Sequence, residues 1–226
     1  MEGGDAAEAD ELLLLCDAHG RPLDGGMACA PRTLVHRDGL WHRSFHCWVV
    51  RAGARGPELL LQRRALTKDF WPGAWDVSAA GHYRAGEGLA GGLRELAEEL
   101  GLAVPPAALV WLGRHKEVVR YAGDRREREY QDVYLVRCDR PLSAYTPNAR
   151  EVTGLALLRP AALVALARGG RRRVRTLGWV AGPRGWAAAP VIITRATLVP
   201  RAGRYYERVA RAAWRLLRTS APPTLA

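Results

Sequence analysis

The sequence predicts a mixed α/β (α+β) sandwich built as one domain. Strand-like runs lie on both sides of one amphipathic helix, a pattern that favours a sheet covered by helices. The chain has 226 residues, enough for one sizeable core. Apolar residues make up 48% of the chain and charged residues 25%, which is ordinary for a soluble globular protein.

Short apolar runs bounded by turn residues predict the strands. They cover 12–16, 44–51, 58–63, 75–80, 109–112, 130–137 and 152–158. Residues 52–57 join the second and third runs and predict a β-hairpin. The leucines between Leu89 and Leu100 recur at helical spacing, and Gly101 follows where a helix commonly ends. Further helices are predicted over 160–167, which opens on a proline, and over 205–217.

The net charge of +11 suggests a phosphate-bearing partner, either a nucleic acid or a small anionic substrate. Nearly all of the positive charge is arginine, because Lys68 and Lys116 are the only lysines. The N-terminus lacks a secretory signal, and the apolar stretch 155–167 is too short to cross a membrane. We therefore expect a cytoplasmic protein without membrane contact. Its four cysteines are far apart in sequence and are expected to be free thiols.

Three glutamates of the central helix carry the chemistry. Glu95, Glu98 and Glu99 lie at i, i+3 and i+4, so their carboxylates share one helical face. Crowded carboxylates repel one another unless a cation compensates, and Mg²⁺ prefers carboxylate and phosphate oxygens. The alternative is a solvated acidic surface without a ligand.

The surrounding residues resemble the Nudix box. Gly81 is followed six residues later by Glu87, and residues 94–102 have the pattern Arg-Glu-Leu-x-Glu-Glu-x-Gly-Leu. The resemblance implies a Nudix α/β/α sandwich that hydrolyses a nucleoside or other organic diphosphate. It also implies that Glu98 and Glu99, with Glu95, bind Mg²⁺ (with Mn²⁺ as an alternative), and that Arg94 orients a glutamate.

The box departs from the family pattern at one position. The family usually has seven residues between its two halves, whereas this chain has six, 88–93. The missing residue must fall in the loop or in the first helical turn for the leucine face to be kept. Glu87 is left with two possible roles, as a metal ligand or as the partner of Arg94.

Residues 62–75, together with Ser78 and the Gly81-His82 pair, resemble the isopentenyl-diphosphate isomerase branch of the family. In isomerases, three histidines and two glutamates bind a divalent metal. The counterparts by position are His36, His42, His82, Glu127 and Glu129. The alternative for His36 and His42 is a pair of hydrogen-bonded residues that flank a turn. Isomerases also need a cysteine immediately before the Gly-His pair, where this chain has Ala80, and this difference favours a hydrolase over an isomerase.

The remaining site predictions concern the proton acceptor and the phosphate. Glu95 is the nearest general base, and Glu129 or Glu151 are the alternatives. Arg63 and Arg64 are the predicted phosphate clamp, because an arginine fork matches phosphate oxygens. The alternative for this pair is a solvated strand end.

We expect a disordered tail over 1–10, a Nudix domain over 11–170, and a basic extension over 171–226 whose last helix packs on the domain. The expected partner is a small-molecule diphosphate rather than a nucleic acid. Residues 194–206 of the extension resemble a tail of isomerase-like Nudix proteins, and they are expected either to cap the substrate cleft or to make a homodimer contact. The competing hypothesis is a non-catalytic module that binds nucleic acid through residues 171–175 and the arginines of the last helix.

Overall fold

The structure is a computed structural model that describes residues 11–121 and 126–219. Its helices are α1 (Arg32–Asp38), α2 (Leu89–Leu100), α3 (Pro160–Ala167) and α4 (Tyr205–Thr219). Its strands are β1 (Leu12–Leu14), β2 (Cys29–Pro31), β3 (His42–Gly53), β4 (Gly56–Arg64), β5 (Trp75–Asp76), β6 (Ala79–His82), β7 (Val110–Arg120), β8 (Arg126–Arg137), β9 (Val152–Leu158), β10 (Arg173–Gly182) and β11 (Gly185–Thr194). The predicted tail over 1–10 lies outside the described residues.

One mixed sheet forms the middle layer, in the order β11-β10-β9-β4-β3-β8-β7, and β5 and β6 pair with β4 and β3. The central strands β3 and β8 are parallel, whereas β3 pairs antiparallel with β4 and β6. A small sheet of β1 and β2 lies apart from it. The predicted fold class is therefore confirmed: helices cover both faces of a mixed sheet.

Strand β3 contributes to two hydrophobic cores, one on each face of the sheet, because successive side chains of a strand point to opposite sides. Phe45, Cys47 and Val49 pack with α2, whereas Trp48 and Val50 pack with α3 and α4. On the α3–α4 face, the apolar side chains stop at Trp48. The residues before it on this face are His42, Ser44 and His46, and they are buried polar groups. The sheet thus changes from core to polar cleft along one strand.

Helix α2 ends as predicted, with Gly101 in the left-handed conformation that glycine favours (φ 63°). Gly92, in the interior of the helix, is required by packing. A Cβ added there would lie 2.2 Å from the Phe45 ring, so only a glycine lets α2 approach the sheet this closely. The helix begins at Leu89, after a turn in which Gly86 and Gly88 have positive φ.

The predicted strand over 75–80 is divided in the structure. Trp75 and Asp76 pair with β4, whereas residues from Ala79 onward pair with β3. Ser78 bridges the two strands, because its hydroxyl donates to the Leu60 carbonyl (2.6 Å) and accepts from the Val49 N–H (2.8 Å).

Helix α1, the short strand β2 and the β10–β11 hairpin were missed by sequence reasoning. Helix α1 has only seven residues and lies among short polar stretches. The β10–β11 hairpin lies in a segment rich in arginine, glycine and tryptophan, and β10 extends the main sheet by pairing with β9. Among the described residues, no helix is both long and apolar enough to cross a membrane.

Candidate active site

A cleft of about 1220 Å³ opens where the polar part of β3 meets α2 and the C-terminal segment. It is lined by the three glutamates of helix α2, by acidic and histidine side chains of β3 and β8, and by several basic side chains. The basic residues include Arg64, Lys68, Arg84 and Arg201. The cavity therefore contains oxygen and nitrogen atoms that could bind a cation, together with positively charged side chains that could bind phosphate.

Glu99 is the deepest of the three helix glutamates. Its Oε2 accepts hydrogen bonds from the Ala80 N–H (3.0 Å) and from Gln62 Nε2 (3.2 Å). Burial, followed by the charge of Glu95, raises the pKa of Glu99 to about 8. Burial likewise raises the pKa of Glu95 to about 7, against the opposing charge of Arg94. Two adjacent buried carboxylates of this kind are the donor set that a hard divalent cation compensates, so the residues fit such an ion.

Gly81 permits this crowding. A Cβ at this position would lie 2.0 Å from Cδ of Glu95, so any larger residue would displace the carboxylate. The glycine of the box is therefore a consequence of the close approach of β6 to α2.

Arg94 connects the carboxylates. Its Nη1 lies 2.9 Å from Glu95 Oε1 and 2.8 Å from Glu98 Oε2. Its Nε and Nη2 donate to Glu87 at 3.2 Å and 3.1 Å. Glu87 is thus the partner of Arg94 in this structure, and the pair holds the guanidinium in place. The Glu98 side chain is 54% exposed and reaches the cleft from its rim.

The second constellation consists of His36, His42, His82 and Glu127. They come from α1, β3, β6 and β8, and one ligand atom from each lies within 4.8 Å of the others. The sequence could suggest this group only through a family resemblance, because its members are far apart along the chain. The fold brings them together, as a shared metal site requires.

The tautomer of His42 supports a cation at this position. His42 Nδ1 lies 3.1 Å from the Leu40 carbonyl, which can only accept, so Nδ1 carries a proton. Nε2 of His42 and of His36 lie 3.1 Å and 3.4 Å from the same Glu127 oxygen, and neither buried atom makes a hydrogen bond there. Ring nitrogens directed at a carboxylate need a positive centre between them, either a proton or a metal ion. Imidazole and carboxylate together suit a divalent transition metal.

Glu129 lies beside this group. Gln131 Nε2 donates to Glu129 Oε2 (2.6 Å), and Glu129 Oε1 is 3.8 Å from His82 Nε2. The predicted catalytic residue Glu129 is therefore next to the histidines, on the strand that supplies Glu127. The third candidate base, Glu151, also lines the cleft and forms an ion pair with Lys68.

The two predicted phosphate-binding arginines have different environments. Arg64 lines the cleft and donates to the Phe70 carbonyl (2.9 Å). Arg63 is exposed, donates to the Gly73 carbonyl (3.2 Å) and is not among the residues that line the cleft. Sequence reasoning missed Lys68 and Arg201 as cleft cations. The only signal for Lys68 was its place in the isomerase-like segment.

The position of the isomerase cysteine is occupied by Ala80, which lies across from His46 in the β3–β6 pair. Cys47 lies across from Ala79 and so belongs to the other face of the sheet, in the core under α2. All four cysteines are among the described residues, and none lines the cleft.

The C-terminal segment forms one wall of the cleft through Pro200 and Arg201. Arg201 Nη2 is 2.5 Å from Asp76 Oδ1, and both side chains are buried. Behind them, Tyr205 of α4 contacts His46 and Trp48 through its hydroxyl. The sequence left this segment with two expected roles, a cap on the cleft or a dimer contact, and gave no individual role to Arg201 or Tyr205.

Comparison with known proteins agrees with this geometry. The family model for the NUDIX domain matches residues 40–179. The chain belongs to the Nudix family. An isopentenyl-diphosphate isomerase of Agromyces mediolanus is 33% identical over 196 residues, which cover 86% of this chain and 83% of that protein. The chain thus lies in the isomerase-like branch of the Nudix family.

Two relatives named as Nudix hydrolases match this chain over only part of their own length. An uncharacterised Nudix hydrolase of Clostridium acetobutylicum is 40% identical over 124 residues, 55% of this chain and 60% of that protein. Nudix hydrolase 3 of Arabidopsis thaliana is 42% identical over 132 residues, 55% of this chain and 16% of that protein. The matched segment therefore spans less than two thirds of either relative.

Among solved structures, a Deinococcus radiodurans protein superposes with a TM-score of 0.54 at 21% identity, over 90% of this chain and 99% of that one. This likeness concerns the fold alone.

Proposed function

We propose that the protein is a divalent-metal-dependent hydrolase that cleaves a diphosphate-linked small molecule by attack of water at phosphorus. The arrangement of Glu95, Glu98 and Glu99 around Arg94 carries this proposal, because all four face a cleft that also contains Arg64 and Lys68. The uncharacterised Clostridium relative carries the name Nudix hydrolase, which supports the same reaction class.

The glutamates would hold Mg²⁺ or Mn²⁺, with Glu99 and Glu95 as the inner ligands and Glu98 at the rim. When bound, the cation supplies neutralisation of the diphosphate charge and acidification of the attacking water. His36, His42, His82 and Glu127, with Glu129 beside them, would hold a second divalent ion.

The protein's own groups have separable roles. Arg94 fixes the carboxylate of Glu95 in one orientation, and Glu95 would accept the proton of the attacking water. Arg64 and Lys68 line the cleft as phosphate-binding cations. Glu129 is the alternative acceptor, although the hydrogen bond from Gln131 already occupies one of its oxygens.

Isopentenyl-diphosphate isomerisation is the second candidate. The histidine group and the long match to the Agromyces isomerase favour it. Against it stands Ala80 in the position of the cysteine, which moves protons at the alkene in isomerases. Cys47 cannot replace that cysteine, because it faces the opposite side of the sheet.

The test measures hydrolysis of a panel of nucleoside, sugar-nucleotide and isoprenoid diphosphates, as release of phosphate monoesters or of inorganic phosphate, with Mg²⁺, with Mn²⁺ and with EDTA. Glu99→Gln keeps the shape of the side chain and removes its charge, so release should fall by about a hundredfold or more. Glu58→Gln is the matched control, because Glu58 pairs with Arg51 outside the cleft and its loss should leave the rate unchanged.

Two results would contradict the proposal. One is release that survives both EDTA and Glu99→Gln. The other is conversion of isopentenyl diphosphate to its isomer without phosphate release from any compound, which would establish the isomerase.

A further inference from the structure

His46 is a buried histidine of the cleft whose position the family pattern does not explain. It is 3% exposed, lines the cleft and lies across from Ala80 in the β3–β6 pair. The Ala80 N–H contacts Glu99, so His46 is one strand away from the deepest carboxylate of the site. Of the two ring nitrogens of His46, only Nδ1 has a hydrogen-bond partner among the described residues.

A hydrogen-bond chain from the C-terminal helix determines the tautomer of His46. Trp48 Nε1, which can only donate, lies 3.0 Å from the Tyr205 hydroxyl. The Tyr205 hydroxyl lies 2.9 Å from His46 Nδ1. The hydroxyl oxygen therefore accepts from Trp48, and its proton is directed at Nδ1. If Nδ1 carried the ring proton, the buried Tyr205 O–H would have no acceptor in the described part of the chain.

The charge states are consistent with this direction. Burial raises the pKa of Tyr205, so its hydroxyl keeps its proton. Burial, and then the charge of Arg201, lower the pKa of His46 to about 3, so the ring has a single proton at neutral pH. With Nδ1 accepting, that proton is on Nε2.

Nε2–H then belongs to a side chain that lines the cleft and has no protein acceptor among the described residues. The neighbouring Arg201 contributes its Nη2 to Asp76, and Ala80 has no polar side chain. Because His46 lines the cleft, its Nε2–H is free to donate to a ligand bound there. The ligand group expected beside Glu99 and the cleft cations is a phosphoryl oxygen.

We propose that Tyr205 holds His46 as a neutral Nε2–H donor, and that His46 positions a bound diphosphate by donating to one of its oxygens. Tyr205 is a positioning residue that acts through His46. The assignment of the ligand rests on the proposed function, whereas the tautomer does not. The C-terminal helix thereby determines how the cleft accepts a substrate.

The first test reads the tautomer directly in the full chain with Mg²⁺. Two-bond ¹H–¹⁵N spectra of histidine-labelled protein should show His46 with its proton on Nε2 and Nδ1 as acceptor. Adding methylenediphosphonate, a diphosphate that cannot be hydrolysed, should shift the His46 Nε2 signal. Exposed His19 is the spectral control and should not respond. In Tyr205→Phe the single tautomer should give way to a mixture.

The second test separates positioning from folding. His46→Gln places an amide N–H near the position of Nε2, whereas His46→Asn places it near Nδ1. With the best diphosphate found above, KM should rise by about tenfold or more in the Asn variant and by less than about threefold in the Gln variant. The kcat of the Gln variant should stay close to that of the wild type.

A proton on Nδ1 would overturn the proposal. So would a His46 signal that stays unchanged while other cleft signals respond to methylenediphosphonate, or equal KM values for the two variants. Absence of turnover in the wild type would count against the hydrolase alone, because the spectra of the wild-type protein still decide the state of His46.

Discussion

Replacing Arg201 with methionine tests the ion pair that fastens the C-terminal segment to the sheet. The Arg201 and Asp76 side chains are 8% and 4% exposed, and their charged atoms are 2.5 Å apart. Removing one partner of a buried pair typically costs about 3–5 kcal/mol, because the other charge stays buried. Arg64 Nη1 remains 3.5 Å from the second Asp76 oxygen and offsets part of the loss. We therefore expect the free energy of unfolding to fall by about 3 kcal/mol, at the lower end of that range.

The pH dependence gives the reasoning a second check. Burial would raise the pKa of Asp76, but Arg201 and then Arg64 hold it below its ordinary value. The ionised Asp76 therefore contributes stability above the unfolded pKa of about 3.9, and this stability is lost as the pH falls through the folded value. Without Arg201 the pKa of Asp76 rises. The loss in the free energy of unfolding caused by Arg201→Met should therefore be largest at pH 7 and smaller near pH 5.

Urea unfolding, monitored by tryptophan fluorescence, measures the free energy of unfolding at pH 7 and at pH 5. The double variant Asp76→Asn with Arg201→Met removes both charges and should recover more than half of the loss. A loss below about 1 kcal/mol at pH 7 would refute the argument, since that is the range of an exposed pair. A loss of equal size at both pH values would refute it as well.

Two further predictions concern packing and metal. Gly92→Ala places a Cβ 2.2 Å from buried Phe45, so an overpacking cost of about 1–3 kcal/mol should exceed the gain of about 1 kcal/mol in helix propensity. The melting temperature should therefore fall, and an unchanged or higher value would contradict the close approach. His42→Ala should retain about one divalent ion fewer than the wild type after Mn²⁺ loading and desalting, because a buried ligand is lost. His19→Ala should match the wild type by elemental analysis, and equal metal content in all three proteins would exclude the histidine site.

Much of the catalytic helix could be predicted because its signals are local. The spacing of Glu95, Glu98 and Glu99 places them on one face in any α-helix, and the leucines define the opposite face. Gly81 and Arg94 follow from the same stretch of chain. The structure adds the physical reasons, namely the closeness of Gly81 to Glu95 and the hydrogen bonds of Arg94.

Other predictions failed or stopped short where the signal is not local. The β10–β11 hairpin was missed because Gly178 and Ile193 are the only buried residues of its two strands, so the strands lack the buried alternation that identifies a strand. The strand over 75–80 was predicted whole, because its division depends on hydrogen bonds from Ser78 to residues of β3 and β4.

By itself, the sequence determined the family, the fold class and the residues of the Nudix helix, because periodicity and a short motif depend only on neighbours along the chain. Only the tertiary structure brought together His36, His42, His82 and Glu127, which come from four separate elements. Only it placed Tyr205 against His46, 159 residues earlier. Such contacts depend on strand register and on where the last helix packs, and no local pattern encodes either.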